Sequence, residues 1–189
     1  MLDAFAVSAV TVFVAEFGDK SQILAMVLAA RFRRPWLVIG GMAAGLLLNH
    51  GLAAAAGLLV AQMLPESVLR WLIAGGFLAA ALWMLKPDRT DRADVEVMPS
   101  AGRWGPFLTT LITFFLIEMG DKTQLMVIAL AARFEAPVAV VAGTLTGILA
   151  ALVPAVLLAD RLLARVPVRI IRLVSAAVFA AVGVGALLA

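Results

Sequence analysis

Two heptapeptides of matching chemistry stand 102 residues apart, Glu16-Phe17-Gly18-Asp19-Lys20-Ser21-Gln22 and Glu118-Met119-Gly120-Asp121-Lys122-Thr123-Gln124. Each brings two carboxylates, an ammonium group, a hydroxyl and a carboxamide together within one short stretch. On a continuous helix Glu16, Asp19 and Lys20 fall at i, i+3 and i+4 and share one face, and Glu118, Asp121 and Lys122 repeat that geometry. Four carboxylates and two ammonium groups sum to −2, a charge that one divalent cation neutralises. The candidate ligands are all oxygens: Glu16, Asp19, Glu118 and Asp121 first, with Gln22, Gln124, Ser21 and Thr123 as auxiliary or gating groups. Such a set suits Mg²⁺, Ca²⁺ or Mn²⁺, whereas copper and zinc usually recruit Cys or His. Lys20 and Lys122 can stand in for the ion by pairing with the acids when it leaves. Gly18 and Gly120 permit either close helix approach or a helix break that frees carbonyl oxygens.

The elements that hold these groups are apolar. Hydrophobic residues make up 64% of the 189 and charged residues only 14%, against about 25% charged in a soluble domain. Mean hydropathy is +1.08. A bilayer is the natural solvent for such a chain, and a spanning helix needs roughly 20 mostly apolar residues. The pattern predicts six spanning helices, at about 4–30, 36–62, 67–85, 105–132, 137–159 and 168–188. Pro35, Pro65, Pro137 and Pro167 lie near their boundaries, where a first helical turn accommodates proline. Each motif then sits near mid-bilayer, where an unpaired charge costs roughly 2.5–3.5 kcal/mol on insertion scales. Six such groups must face one another, water or a bound ion.

The register between the halves extends well beyond the motifs. Leu28-Ala29-Ala30-Arg31-Phe32 matches Leu130-Ala131-Ala132-Arg133-Phe134, and Pro35, Gly41, Gly45 and Pro65 match Pro137, Gly143, Gly147 and Pro167. Packing alone does not preserve polar residues and prolines in one register, so the chain is an internal duplication. The expected organisation is a three-helix repeat over 1–85, a cytoplasmic linker over 86–104 and a second repeat over 105–189. An odd number of spans per unit inverts the second copy, an arrangement typical of secondary transporters with sites near the midplane. Eleven Lys and Arg residues follow the first, third and fifth spans: Arg31, Arg33, Arg34, Lys86, Arg89, Arg92, Arg103, Arg161, Arg165, Arg169 and Arg172. Only Arg70 and Arg133 lie on the opposite side. The positive-inside rule therefore puts the eleven in the cytoplasm and both termini outside, in a multi-pass protein of the inner (plasma) membrane. The N-terminal run carries charges and no basic leader, so no cleaved signal peptide is expected.

The paired Glu-x-Gly-Asp-Lys-[Ser/Thr] motifs, in the first and fourth spans of a duplicated chain, closely resemble the Gdt-one family, long catalogued as uncharacterised protein family 16. The resemblance covers nearly the full length, and the paired motif is highly specific. It implies an antiporter exchanging Mn²⁺ or Ca²⁺ for protons, with the motif acids as ligands and manganese export as the bacterial role. The family pattern carries onto Glu16, Gly18, Asp19, Lys20 and Ser21 and onto Glu118, Gly120, Asp121, Lys122 and Thr123.

Other classes fit less well. With no cysteine and one histidine, His50, there is no disulfide, thiolate site or multi-histidine centre within one chain. A membrane enzyme using the paired acids for general acid/base work is conceivable on spacing. However, no Ser-His-Asp arrangement or polar globular domain supports it, and no catalytic residue or resident cofactor is expected. A structural subunit of a larger complex is a third reading. The basic clusters serve topology rather than nucleic acid, despite a pI near 10.2. Asn49 and His50 lie inside the second span opposite Ala151 and Leu152 of the other half. A lone histidine there reads more readily as an interhelical hydrogen-bonding group than as a proton relay. The Gly41-x-x-x-Gly45 and Gly143-x-x-x-Gly147 pairs read as close-packing faces, with self-association of the chain as the lesser alternative.

Overall fold

The computed structural model describes residues 1–17, 19–85, 104–158 and 168–188. These form eight helices with no strand among the described residues: α1 (Leu2–Glu16), α2 (Lys20–Phe32), α3 (Pro35–Met63), α4 (Glu66–Leu85), α5 (Gly105–Ile117), α6 (Lys122–Phe134), α7 (Pro137–Leu157) and α8 (Val168–Leu188). Two of them, α3 and α7, are long and apolar enough to cross a membrane alone. Residues 86–103 of the expected linker, Gly18, Arg161 and Arg165 lie outside the described residues.

The segments predicted as single helices over 4–30 and 105–132 are each two helices. The first is interrupted between Glu16 and Lys20, the second between Ile117 and Lys122. Glu16, Asp19 and Lys20 therefore do not share one face of a continuous helix, because the chain leaves the helix between the acids. The physical reason lies in the motif itself. Asp121 has an extended backbone (φ −78°, ψ 166°) and caps α6, as Asp19 (φ −85°, ψ 171°) caps α2. Aspartate favours this helix-start position over a helix interior. Gly120 takes φ +76°, a left-handed conformation that glycine adopts without penalty. A Cβ there would meet no atom, so Gly120 serves the break and not close packing.

The duplication reaches the backbone. α6 begins and ends 102 residues after α2. Both end on a left-handed non-glycine residue at the same repeat position, Arg33 (φ 52°) and Glu135 (φ 47°). Their amides return to the carbonyls of Ala29 and Ala131 at 2.9 and 3.0 Å. A proline then opens the next helix, where its missing N–H costs nothing.

The halves interlock. α1 packs chiefly on α7, α5 on α3, and α4 on α8. A Cβ at Gly41 or Gly45 would fall against the carbonyl oxygens of Phe107 and Leu111, and at Gly143 or Gly147 against those of Phe5 and Ala9. These are equivalent residues of the two halves, so both Gly-x-x-x-Gly pairs seat an inter-half contact. Small residues matter here because lipid tails are as apolar as leucine, and helix association must come from close packing.

Burial is distributed as a bilayer requires. Leu47, Leu48, Leu52 and Leu59 on α3 face outward, while Glu16, Asn49, His50, Glu118, Lys122 and Thr144 are buried. Charge inside and leucine outside is unfavourable in water and suits hydrocarbon.

Candidate divalent-cation site

The two helix breaks meet at the centre of the molecule. In each, the N–H of the aspartate turns back to the glutamate carbonyl, Asp19 to Glu16 at 3.2 Å and Asp121 to Glu118 at 3.3 Å. The chain thus makes a tight turn that delivers one carboxylate from each side of the gap. The C-terminal ends of α1 and α5 also point partial negative charge at this region, and their last carbonyls lack intrahelical partners.

The side chains pair across the halves rather than within them. Lys20 Nζ lies 3.0 Å from Asp121 Oδ1, and Lys122 Nζ lies 2.6 Å from Asp19 Oδ1. The Lys122–Asp19 pair is enclosed, with side-chain exposures of 5% and 3%, whereas Lys20 retains 33%. One crossed pair is therefore open to exchange with its surroundings and the other is not. Neither aspartate uses its side chain to cap its own helix. Both give that role up for an ammonium group from the opposite repeat.

The glutamates break the symmetry. Glu16 accepts hydrogen bonds from Ser21 Oγ at 2.5 Å and from the Thr123 hydroxyl, one donor from each half. Glu118 is 1% exposed, and neither of its carboxylate oxygens has a hydrogen-bond partner among the described residues. Its charged neighbours are Glu16, Asp121, Asp19 and Lys20. One carboxylate oxygen each from Glu16, Asp19 and Asp121 lies within 4.8 Å of the others, close enough for one ion to touch all three. Glu118 borders that triad without belonging to it.

The carboxamides reach equivalent positions, 151 and 49, of the opposite half. Gln22 Nε2 donates to the Ala151 carbonyl at 3.1 Å. Gln124 accepts from the Gly120 N–H at 2.7 Å and donates to Asn49 at 3.4 Å. Asn49, outside both motifs, thus joins the polar network; a polar side chain in an otherwise apolar helix was its only signal. His50 is fully buried, with Nδ1 3.0 Å from Thr144 Oγ1. It lies outside the carboxylate triad.

A family model for the divalent cation/proton antiporter GDT1 matches residues 4–92 and 106–189, which is almost the whole chain. The chain belongs to the GDT1 family. It is 38% identical over 180 residues to a Vibrio cholerae protein described as a "Putative manganese exporter", covering 95% of this chain and 88% of that one. It is 30% identical over 156 residues to a GDT1-like protein of Synechocystis, covering 72% and 73%. No solved structure matches the chain. GDT1 is a family of membrane transporters and not an enzyme class, with divalent cations and protons as its substrates. The residues that carried the resemblance include the buried polar cluster Glu16, Asp19, Ser21, Glu118, Asp121, Lys122 and Thr123.

Proposed function

We propose that this GDT1 protein exports Mn²⁺ in exchange for protons entering the cell. The crossed pairing Lys20–Asp121 and Lys122–Asp19 carries the reading. Each lysine holds the position a cation would take between acids of the two repeats. Ion binding then shifts an ammonium group already paired with an acid, and the centre's remaining charge of −2 is met in turn by the divalent ion or by returning protons. An uncompensated buried charge is what a membrane interior tolerates least.

Glu16, Asp19 and Asp121 supply the first oxygens in this scheme, and Glu118, with both oxygens lacking hydrogen-bond partners among the described residues, completes the set as the ion settles. Ser21 and Thr123 release Glu16 in the same movement, while Gln22 and Gln124 are auxiliary. Protons arriving from outside compete for these carboxylates and weaken the site, because metal ligands must be deprotonated. Manganese is preferred over calcium on the strength of the Vibrio cholerae relative's description; an all-oxygen site accepts either ion.

Six spans in two inverted repeats, 1–85 and 105–189 joined by a linker over 86–104, fit this scheme. α1–α2 and α5–α6 each form one broken span, the form in which secondary transporters carry midplane ion sites. Rocking of one repeat against the other at the glycine contacts alternates access. The cationic loops face the cytoplasm of an inner-membrane protein, with both termini outside.

Deleting the gene and challenging cells with excess Mn²⁺ or Ca²⁺ tests the assignment. Sensitivity to Mn²⁺ alone, relieved by the wild-type gene and not by Asp19→Asn, is expected. Sensitivity to Ca²⁺ alone reassigns the substrate, and normal tolerance of both removes the export role.

A further inference from the structure

The second helix break leaves two backbone groups in need of partners, and one residue outside the motif serves both. Within a helix the Phe115 carbonyl would accept from the amide of Met119. Here the Met119 N–H goes to Leu116 at 3.2 Å instead. Asn49 Nδ2, on α3, donates to the Phe115 carbonyl at 3.2 Å in its place. On the other side of the break the Gly120 N–H donates to Gln124 Oε1 at 2.7 Å, and Gln124 is held by its Nε2 donating to Asn49 Oδ1 at 3.4 Å. Asn49 is fully buried. Both ends of its carboxamide are therefore committed to the same interruption, one directly and one through Gln124.

In the hydrocarbon region an unsatisfied backbone group costs several kcal/mol; the bond to the Phe115 carbonyl is part-buried, and the one from the Gly120 N–H is the more exposed of the two. The first break lacks an equivalent of the Asn49 side chain. The place of Asn49 on α7 is taken by Ala151, which has no side-chain amide, and Gln22 reaches its backbone carbonyl instead. We infer that Asn49 is a positioning residue that fixes the second helix break against α3, and through it the placement of Glu118, Asp121 and Lys122. It touches no ion in this scheme. Its effect on transport rests on the antiport reading above, whereas its effect on the break does not.

Amide hydrogen exchange on the full-length protein in nanodiscs separates the two. With Asn49→Leu, which keeps the side chain's size, exchange over 118–124 should quicken about tenfold, the scale of losing one to two net hydrogen bonds. Exchange over 16–22 should stay within about twofold of wild type. Unchanged exchange over 118–124, or equal acceleration in both segments, overturns the inference. Asn49→Ala gives the same test if the leucine variant does not fold. In proteoliposomes the same variant should raise the half-saturating Mn²⁺ concentration about tenfold while leaving the maximal rate within about twofold. An unchanged half-saturation point removes the functional part. If wild-type protein moves no cation at all, the antiport reading fails, and the exchange result alone decides the role of Asn49.

Discussion

Glu16 and Glu118 occupy equivalent places in the two halves but differ in what surrounds them, so one substitution should have two outcomes. Glu16 receives two buried hydroxyl donors, Ser21 and Thr123. A hydrogen bond to a charged group contributes about 1.5–3 kcal/mol and a neutral one about 0.5–1.5 kcal/mol, so Glu16→Gln should cost about 2–3 kcal/mol over the two bonds. Glu118 has no hydrogen bond to lose among the described residues. Neutralising it relieves the desolvation penalty of an unpaired buried carboxylate, several kcal/mol in general, and adds an amide whose unmet donors cost about 1–3 kcal/mol. Glu118→Gln should therefore be neutral or stabilising, by up to about 2 kcal/mol. Thermal unfolding in detergent without divalent ions, followed by tryptophan fluorescence, measures this gap. Mn²⁺ flux on the same preparations should fall to background in both variants. A Glu118→Gln protein that transports normally refutes the ligand role. One that unfolds as easily as Glu16→Gln refutes the asymmetric hydrogen bonding behind the calculation.

Three further outcomes follow from the same geometry. Lys122→Gln leaves Asp19 buried without its cation and should cost about 3–5 kcal/mol. Mn²⁺ at one hundred times that variant's dissociation constant should stabilise it by roughly 2.7 kcal/mol, and the same concentration should stabilise wild type less, read as a melting shift against Mn²⁺ concentration. Gly147→Leu forces a side chain against the Ala9 carbonyl and should cost at least about 1–3 kcal/mol, whereas Gly120→Ala, strained only by its positive φ, should cost about 1–2 kcal/mol; chemical denaturation of the two proteins checks the order. Because the natural chain has no cysteine, Arg92→Cys can be labelled alone in intact cells and in inverted vesicles. Protection in cells and reaction in inverted vesicles is the expected pattern for a cytoplasmic linker.

The repeat was legible because its markers are polar or conformationally special residues in an apolar background. Prolines and glycines recurring at one offset fixed the boundaries of α3 and α7 to within a residue or two at most ends. The helix breaks were less legible. Apolar periodicity continues on both sides of Gly18 and Gly120, and hydropathy does not register a turn of three or four residues. Which partner each lysine takes was not readable at all. Lys20 and Asp19 are chain neighbours, yet Lys20 pairs with Asp121 because the breaks bring the repeats face to face. The unequal treatment of Glu16 and Glu118 was hidden for a related reason: identical motifs imply identical environments, and only three-dimensional packing lets both hydroxyls settle on one glutamate. Asn49 escaped notice as a site residue because its work lies with backbone groups that exist only after the helix has broken.

Reconstitution decides whether Mn²⁺ and protons are exchanged. Purified protein in liposomes loaded with Mn²⁺ indicator and pH dye should take up Mn²⁺ only when protons can leave in exchange. Reversing the imposed pH gradient should reverse the Mn²⁺ flux, with both signals abolished in Asp19→Asn and Asp121→Asn. Mn²⁺ flux of the same size and direction whatever the pH gradient would contradict the exchange mechanism.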